Sequence, residues 1–235
     1  MTVDRLGWLF IFFIISSCKN NPSGTSDEPG ATPIFHLLEP EKTGINFANE
    51  VVDNEDFNIL TYRNFYNGGG VAIGDINNDG LPDIYFTTNQ KKNKLYLNKG
   101  NFQFEDITEK AGVGGTMAWS TGVTMADVNG DGWLDIYVCN SGDVDGSRKK
   151  NELFINNGNL SFTEKAAAYN LDNEGYSTHA AFFDYDGDGD LDCYILNNSF
   201  RYPVRIEFYK KVREIPSPGG HKLMRYDLNT FTDVT

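Results

Sequence analysis

The chain has 235 residues, of which 40% are hydrophobic and 14% are aromatic, and this composition excludes a disordered protein. Its net charge of −13 disfavours a nucleic-acid surface, because phosphate binding needs clustered Lys and Arg. The same charge suits a protein that binds cations.

The first residues are predicted to be an export signal. One basic residue, Arg5, precedes an apolar run at 6–15. A run of about ten residues is too short for a membrane-spanning helix, which needs roughly twenty. The run ends in ISSC (15–18), which resembles the bacterial lipobox, where the chain is cut before a cysteine that then carries lipid. We predict a signal peptide at 1–17 and a lipidated Cys18; the alternative is an ordinary signal peptide with an incidental cysteine.

Two segments separate this signal from the body of the protein. Residues 18–33 form a polar linker rich in Pro, Gly and Ser, which would hold a folded domain away from a lipid anchor. Residues 34–67 form an N-terminal segment, and the stretch TGINFANEV (43–51) within it has the pattern of an outer strand.

From residue 68 to residue 235 the chain repeats itself. Three acidic stretches read alike: GDINNDGLPD (74–83), ADVNGDGWLD (126–135) and FDYDGDGDLD (183–192). Their first acids, Asp75, Asp127 and Asp184, are 52 and 57 residues apart. Each stretch follows a small or apolar segment (GGGVAIG, STGVTMA or STHAAFF) and precedes a β-rich one (DIYFTT, DIYVCN or DCYILN).

A hairpin pattern completes each repeat. NKLYLNKGNFQFEDIT (93–108) matches NELFINNGNLSFTEKA (151–166), and a third copy, HKLMRYDLNTFTDVT (221–235), follows an insertion at 199–220. Four strands in roughly 50 to 60 residues is the size of a β-propeller blade. The sequence therefore predicts an all-β fold with three four-stranded propeller-type blades.

The acidic stretches follow the pattern D-x-[DN]-x-D-G-x-x-D, which predicts a metal site in each loop. Alternation brings side chains 1, 3 and 5 inward, the glycine at position 6 lets the backbone reverse, and position 7 can offer its carbonyl. Several oxygen ligands on a flexible loop favour Ca²⁺, and the absence of Cys and His disfavours zinc. The predicted ligands are Asp75, Asn77, Asp79, Leu81 and Asp83 in loop 1, Asp127, Asn129, Asp131, Trp133 and Asp135 in loop 2, and Asp184, Asp186, Asp188, Asp190 and Asp192 in loop 3.

Two other interpretations of these loops were weighed. An EF-hand needs an acid at position 12 and flanking helices, but position 12 is Phe86, Val138 or Ile195 and the flanks are β-rich. Solvated Asp/Asn/Gly turns would explain one such loop. Three loops in register favour the metal interpretation.

These motifs resemble FG-GAP/VCBS repeats, as found in integrin α-subunit propellers. The combination of WSTGV and ADVNGDGWLD with NKLYLN and FEDITEKAGV is similar to the cartilage-acidic-protein-like branch, which is common among bacterial surface lipoproteins. The resemblance implies Ca²⁺ in the loops and implies that GGGVAIG, STGVTMA and STHAAFF line a central channel. His179 replaces the glycine of the other two repeats, and we expect it to be a tolerated polar residue near that axis.

The sequence contains no nucleophile elbow, metalloprotease motif or phosphate loop, so we expect no enzyme activity. The predicted function is calcium-dependent binding or adhesion on the bacterial outer membrane or cell surface. The partner would be a protein or glycan ligand, with no nucleic acid and with membrane contact through the lipid anchor alone. The alternatives are a scaffold for a polysaccharide-acting enzyme and a structural spacer in the envelope.

Three blades are fewer than the four that a closed propeller typically needs. The two end blades would then each leave an apolar face uncovered, because repeat units bury their cores against neighbours. We expect a piece of a longer protein, or a chain that closes by assembling with another copy.

Overall fold

The computed structural model describes residues 34–117, 119–142, 149–198 and 220–235. All of the described strands belong to one compact unit, Leu38–Thr235. The predicted signal peptide 1–17, Cys18 and the linker 18–33 lie outside the described residues, as does the insertion up to residue 219. Among the helices of the described part, none has the length and apolar character needed to cross a membrane.

The fold is all-β, as predicted, with three four-stranded antiparallel sheets. Blade 1 contains β1 (Val71–Gly74), β2 (Asp83–Phe86), β3 (Lys94–Asn98) and β4 (Phe104–Asp106). Blade 2 contains β5 (Ser120–Ala126), β6 (Asp135–Asn140), β7 (Glu152–Asn156) and β8 (Phe162–Glu164). Blade 3 contains β9 (Tyr176–Phe183), β10 (Asp192–Asn198), β11 (Lys222–Asp227) and β12 (Thr230–Asp233). Strand order in each sheet follows the chain, so each sheet is one blade.

In the described part of the chain, two one-turn helices accompany the strands: α1 (Pro40–Thr43) and α2 (Thr108–Ala111). Each ends at a glycine, Gly44 or Gly112, whose φ of 75° allows the left-handed turn that closes it. These helices have no signature in the sequence, because one turn is too short to show a helical period.

The acidic stretches are hairpin loops that join the first and second strands of each blade. The register pairs Gly74 with Asp83 in blade 1, Ala126 with Asp135 in blade 2, and Phe183 with Asp192 in blade 3. Position 9 of every motif therefore lies opposite the residue before position 1. All three blades share this register, so the same residue pattern recurs at equivalent positions of each repeat.

The core lies between the blades, and blade 2 contributes a face to each side. Along β6, Ile136 and Val138 pack toward blade 1, whereas Tyr137 and Cys139 pack toward blade 3. Alternate side chains of a strand point to opposite faces, so this strand is buried on both. Cys139 and the blade 3 residue Cys193 are buried and free.

The two end blades each have an exposed apolar face, as predicted. On blade 1, Val71 is 55% exposed, whereas its blade 2 equivalent, Val123, is 4% exposed. On blade 3, Tyr194 is 36% exposed, whereas its equivalent, Tyr137, is 1% exposed. We call these the blade 1 face (Val71 and Ile73) and the blade 3 face (Phe183, Tyr194 and Leu196). The repeat places an apolar side chain at these positions whether or not a neighbouring blade covers it.

The prediction of an outer strand at 43–51 is wrong. The chain forms no strand from 44 to 70. A strand needs a hydrogen-bonded neighbour, and this segment instead packs its side chains against blade 1. Phe47 stacks on Phe86 with ring centroids 4.5 Å apart, and Asn49 hydrogen-bonds Asn89 at 2.7 Å.

The first strands of the three blades lie side by side. The hydroxyl of Thr121 donates to the carbonyl oxygen of Ser177 at 2.7 Å, and that of Thr124 donates to Ala180 at 2.6 Å. A Cβ atom on Gly70 would lie 2.8 Å from the carbonyl oxygen of Thr121, which is too close for any side chain. The segments that were expected to share an axis are therefore neighbours.

A polypeptide of these 235 residues should self-associate, because the two end faces expose apolar side chains to water. Light scattering is expected to show oligomers, and Ile73→Asp or Leu196→Asp should shift the distribution toward monomer. Leu228→Asp is the control, because Leu228 is also exposed but lies in the β11–β12 turn, away from both faces. A soluble wild-type monomer with a cooperative melt would contradict the prediction.

Candidate metal centre

The glycine at position 6 makes each acidic loop turn back on itself. Gly80, Gly132 and Gly189 have φ angles of 85°, 89° and 99°. A side chain at such angles is strained, so glycine is the residue that permits the reversal. No described atom lies within 4 Å of the place where a Cβ would stand on these glycines, so the backbone conformation, and not crowding, requires glycine.

The carboxylate at position 1 lies inside the turn. In loop 1, Asp75 accepts hydrogen bonds from the main-chain N–H of Asp79 at 3.2 Å and of Gly80 at 2.7 Å. In loop 2, Asp127 accepts from Asp131 at 3.0 Å and from Gly132 at 2.8 Å. These bonds fold positions 2 to 6 around the first aspartate.

Positions 3 and 5 meet beside position 1. The amide nitrogen of Asn77 donates to Oδ2 of Asp79 at 3.0 Å, and Asn129 donates to Asp131 at 2.9 Å. The structure thus brings together the first three predicted ligands in loops 1 and 2. Each of these side chains carries an oxygen atom that could coordinate a metal ion.

Loop 3 gathers three carboxylates at the same positions. One oxygen from each of Asp184, Asp186 and Asp188 lies within 4.8 Å of the others. Desolvation, followed by the neighbouring carboxylates of Asp188 and Asp192, raises the pKa of Asp186. No amide separates these acids as Asn77 and Asn129 do, so loop 3 has the stronger electrostatic need for a cation.

Position 7 was predicted to offer a main-chain carbonyl. In loops 1 and 2, the N–H groups of Leu81 and Trp133 donate to Oδ1 of Asp79 at 2.8 Å and of Asp131 at 2.9 Å, which fixes these residues beside position 5. In loop 3, Oδ1 of Asp190 is buried and accepts no hydrogen bond from the described residues. Desolvation and the carboxylate of Asp188 raise the pKa of Asp190. An uncompensated carboxylate oxygen next to other acids is a position that a cation would stabilise.

The aspartate at position 9 is the first residue of the second strand in each blade, and its side chain lies beneath the loop. Asp83, Asp135 and Asp192 are fully buried. One oxygen of each accepts an N–H from inside the loop, at Ile76 (3.0 Å), Val128 (3.0 Å) or Tyr185 (2.8 Å). The other oxygen accepts an N–H from the third strand of the blade, at Asn98 (2.7 Å), Asn156 (2.8 Å) or Tyr226 (2.8 Å). Sequence reasoning missed this structural role, because the third-strand residue is 15 to 34 positions away in the chain.

Burial raises the pKa values of two of these acids, Asp135 and Asp83. It raises the pKa of Asp135 to about 7, with a smaller contribution from the carboxylates of Asp131 and Asp127. The pKa of Asp83 is raised for the same first reason, and the two accepted N–H bonds act in the opposite direction. A cation held by the loop above would favour the ionised form of both.

The residues present fit a hard divalent cation. The loop side chains that lie together are carboxylates and carboxamides, and the oxygens of such groups are ligands that Ca²⁺ prefers. The side chains at positions 1, 3 and 5 of each loop would hold the ion, and the buried aspartate at position 9 would add negative charge beneath it.

Loop 1 is also linked to blade 2. The side-chain amide of Asn78 donates to the carbonyl oxygen of Gly132 in loop 2 at 3.1 Å. The side-chain amide of Asn156 in β7 donates to the carbonyl oxygen of Ile76 in loop 1 at 2.8 Å. Blade packing therefore holds the two loops in a fixed relation.

Replacing Asp135 by Ala should lower the free energy of unfolding by roughly 2–5 kcal/mol, because two buried N–H groups lose their acceptor. The measurement is urea denaturation with a chelator present, so that metal binding does not contribute. Asp131→Ala is the control: Asp131 is exposed, and its loss should cost less than about 1 kcal/mol under the same conditions. Equal losses for the two variants would refute a structural role for position 9.

Comparison with known proteins agrees with this architecture. A family model described as an FG-GAP-like repeat matches residues 75–138 and 140–195, just over half of the chain. Cartilage acidic protein 1 of Xenopus tropicalis is 29% identical over 210 residues, which cover 88% of this chain and 30% of that protein. The Mus musculus and Homo sapiens proteins of the same name are each 27% identical over 62% and 63% of this chain. The chain spans less than a third of the length of these relatives. The matched segments contain all three acidic loops, and the chain belongs to the FG-GAP-like repeat family.

Proposed function

We propose that this chain is a calcium-binding repeat protein of the cell surface that binds a protein or glycan ligand or mediates adhesion. FG-GAP-like repeats suggest a ligand-binding or adhesive role. The observation that carries the calcium proposal is that the side chains at positions 1, 3 and 5 lie together in each acidic loop: three carboxylates in loop 3, and two carboxylates with one amide in loops 1 and 2.

Electrostatics supports a bound cation. Ten of the twelve side chains at positions 1, 3, 5 and 9 are carboxylates, and they repel one another at short range. Burial, with a further contribution from neighbouring carboxylates, raises the pKa values of Asp83, Asp135, Asp186 and Asp190, and this supports a partner charge in the loops. Three Ca²⁺ would change the formal charge from −13 to −7, because they add six positive charges.

Binding fits this chain better than catalysis. The clustered carboxylates that could act as an acid–base pair lie in the loops, where a bound metal ion would remove them from proton transfer. The relatives carry the name of a cartilage protein and not of an enzyme.

Export and lipid anchoring belong to the same proposal. The apolar run at 6–15 and the sequence ISSC (15–18) support them. A lipidated Cys18 followed by a polar linker would present the blades at the membrane surface.

Calcium should raise the melting temperature of the protein. At a free concentration one hundred times the dissociation constant, each site adds roughly 2.7 kcal/mol to the free energy of unfolding. Melting curves with Ca²⁺ and with chelator measure the effect, and native mass spectrometry is expected to count three ions. Asp79→Ala, Asp131→Ala and Asp188→Ala should each remove one ion.

Asp53→Ala is the matched control, because Asp53 is an exposed aspartate outside the three loops. It should keep three ions and the full calcium shift. An unchanged melting midpoint in the wild type, together with no bound Ca²⁺, would sink the calcium proposal.

Cys18 should be acylated in cells that process lipoproteins. Labelling with a fatty-acid analogue is expected to mark the wild type and Cys139→Ala, whose substituted thiol is buried in the fold, but not Cys18→Ser. Equal labelling of Cys18→Ser and the wild type would show that the lipid-anchor prediction is wrong.

A further inference from the structure

One kind of contact joins the blades on both sides of blade 2. Tyr85 of blade 1 shares a buried apolar cluster with Val123 of blade 2. Tyr137 of blade 2 shares a second buried cluster with Ala180 of blade 3. The two tyrosines occupy equivalent positions of the repeat, and so do Val123 and Ala180. Each blade therefore has one face for the blade that follows it and a different face for the blade that precedes it.

The blade 3 face consists of positions that the other blades bury against the blade that follows. Tyr194 is the equivalent of Tyr85, which is fully buried between blades 1 and 2. Tyr185 in loop 3 is 46% exposed, whereas its equivalents Ile76 and Val128 are 1% and 2% exposed. Blade 3 therefore has the side that receives a following blade, and in the described part of the chain that side is open to solvent.

The blade 1 face consists of positions that the other blades bury against the blade that precedes. Val71 is the equivalent of Val123 and Ala180, which are both buried. Ile73 is 65% exposed, whereas its equivalent Met125 is half-buried and packs against the cluster between blades 1 and 2. The blade 1 face and the blade 3 face are thus the two complementary halves of the contact that the chain forms twice within itself.

The contact within the chain shows which residues would meet between two chains. A Cβ atom on Gly74 would lie 3.6 Å from the Cβ of Met125, so these two positions face each other across the boundary between blades 1 and 2. Phe183 is the equivalent of Gly74, and Ile73 is the equivalent of Met125. Repeating the contact would therefore place Phe183 of one copy opposite Ile73 of the other. Both side chains are large, apolar and exposed, so their contact would remove apolar surface from water.

The first strand of blade 3 carries larger side chains than its counterparts. His179 and Phe183 occupy the positions of Gly70 and Gly74 in blade 1, and both are exposed. A Cβ atom on Gly70 would lie 2.8 Å from the carbonyl oxygen of Thr121, so the first strands of blades 1 and 2 are in close contact. Strand β9 of one copy and β1 of the other would be spaced further apart, with the side chains of His179 and Phe183 between them. The contact between copies would thus keep the order of the faces with a wider spacing.

We propose that a second copy of this chain covers both faces, and that two chains close a ring of six blades. Because blades of this repeat already pack on one another through these two sides, another blade of the same repeat is the matching partner. The blade 3 face of each copy would pack on the blade 1 face of the other, and such contacts between unlike faces form a closed ring when the rotation closes. Two copies supply six blades, within the range of about four to eight in closed propellers, whereas three copies would supply nine.

The test is cross-linking of cysteine variants of the full chain in a Cys18→Ser background, in which the cysteines of the described part are buried. A short bismaleimide joins two exposed thiols and tolerates the wider spacing of the first strands. A mixture of Ile73→Cys and Phe183→Cys should give a covalent dimer on a denaturing gel, whereas each variant alone should not. Leu228→Cys is the matched control: Leu228 is also exposed but lies in the β11–β12 turn, so this variant should not cross-link to either of the others.

A second measurement does not depend on cross-linking. Ile73→Asp and Leu196→Asp should each be monomeric by light scattering, whereas their equimolar mixture should contain a species of twice the mass, because each chain supplies the face that the other has lost. If like faces paired instead, each aspartate variant would dimerise through its intact face, and Ile73→Cys would cross-link to itself. Either of those results, a monomeric wild type, or the absence of a cross-link in the cysteine mixture would overturn the proposal.

Discussion

The buried aspartate at position 9 of each acidic loop is the constraint on which each blade depends. Asp83, Asp135 and Asp192 each accept one N–H from the loop and one from the third strand. A single carboxylate at the start of the second strand thereby connects that strand to the loop and to the third strand. Asparagine, the neutral side chain of the same size, has one oxygen and could not accept both hydrogen bonds in this way. Burying such a charge is unfavourable unless something compensates it, as the raised pKa of Asp135 shows. A cation in the exposed loop above, as proposed, would provide that compensation and would link the stability of the blade to metal binding.

The second organising feature is the packing of blade on blade. Each strand of a blade alternates its side chains between two neighbours, and only blade 2 has both. Val71 and Val123 occupy the same position of the repeat, but one is exposed and the other is buried. Identical sequence patterns therefore have different environments, according to whether an adjacent blade is present. The same packing brings the amide of Asn156 to the carbonyl of Ile76, which connects loop 1 to β7 across the blade boundary.

The inner strands separate two kinds of chemistry. The ends that lead into Asp75, Asp127 and Asp184 carry negative charge and converging oxygen donors. The beginnings of the same strands lie beside glycines, Tyr62 of the N-terminal segment and neutral polar groups.

The sequence by itself determined the blade count, the order of strands and the acidic loops, because these depend on local alternation, turn residues and a period that recurs along the chain. It also identified Gly80, Gly132 and Gly189 as points of reversal, since only backbone freedom is required there. It was wrong about an outer strand at 43–51. A strand needs a hydrogen-bonded neighbouring strand, and the residues of one segment do not show whether that neighbour is present. Tertiary structure alone decided that the third-strand N–H groups reach Asp83, Asp135 and Asp192. It also decided that His179 and Tyr62 share a cavity, because these contacts join residues distant in the chain that only the packing of one blade against the next brings together.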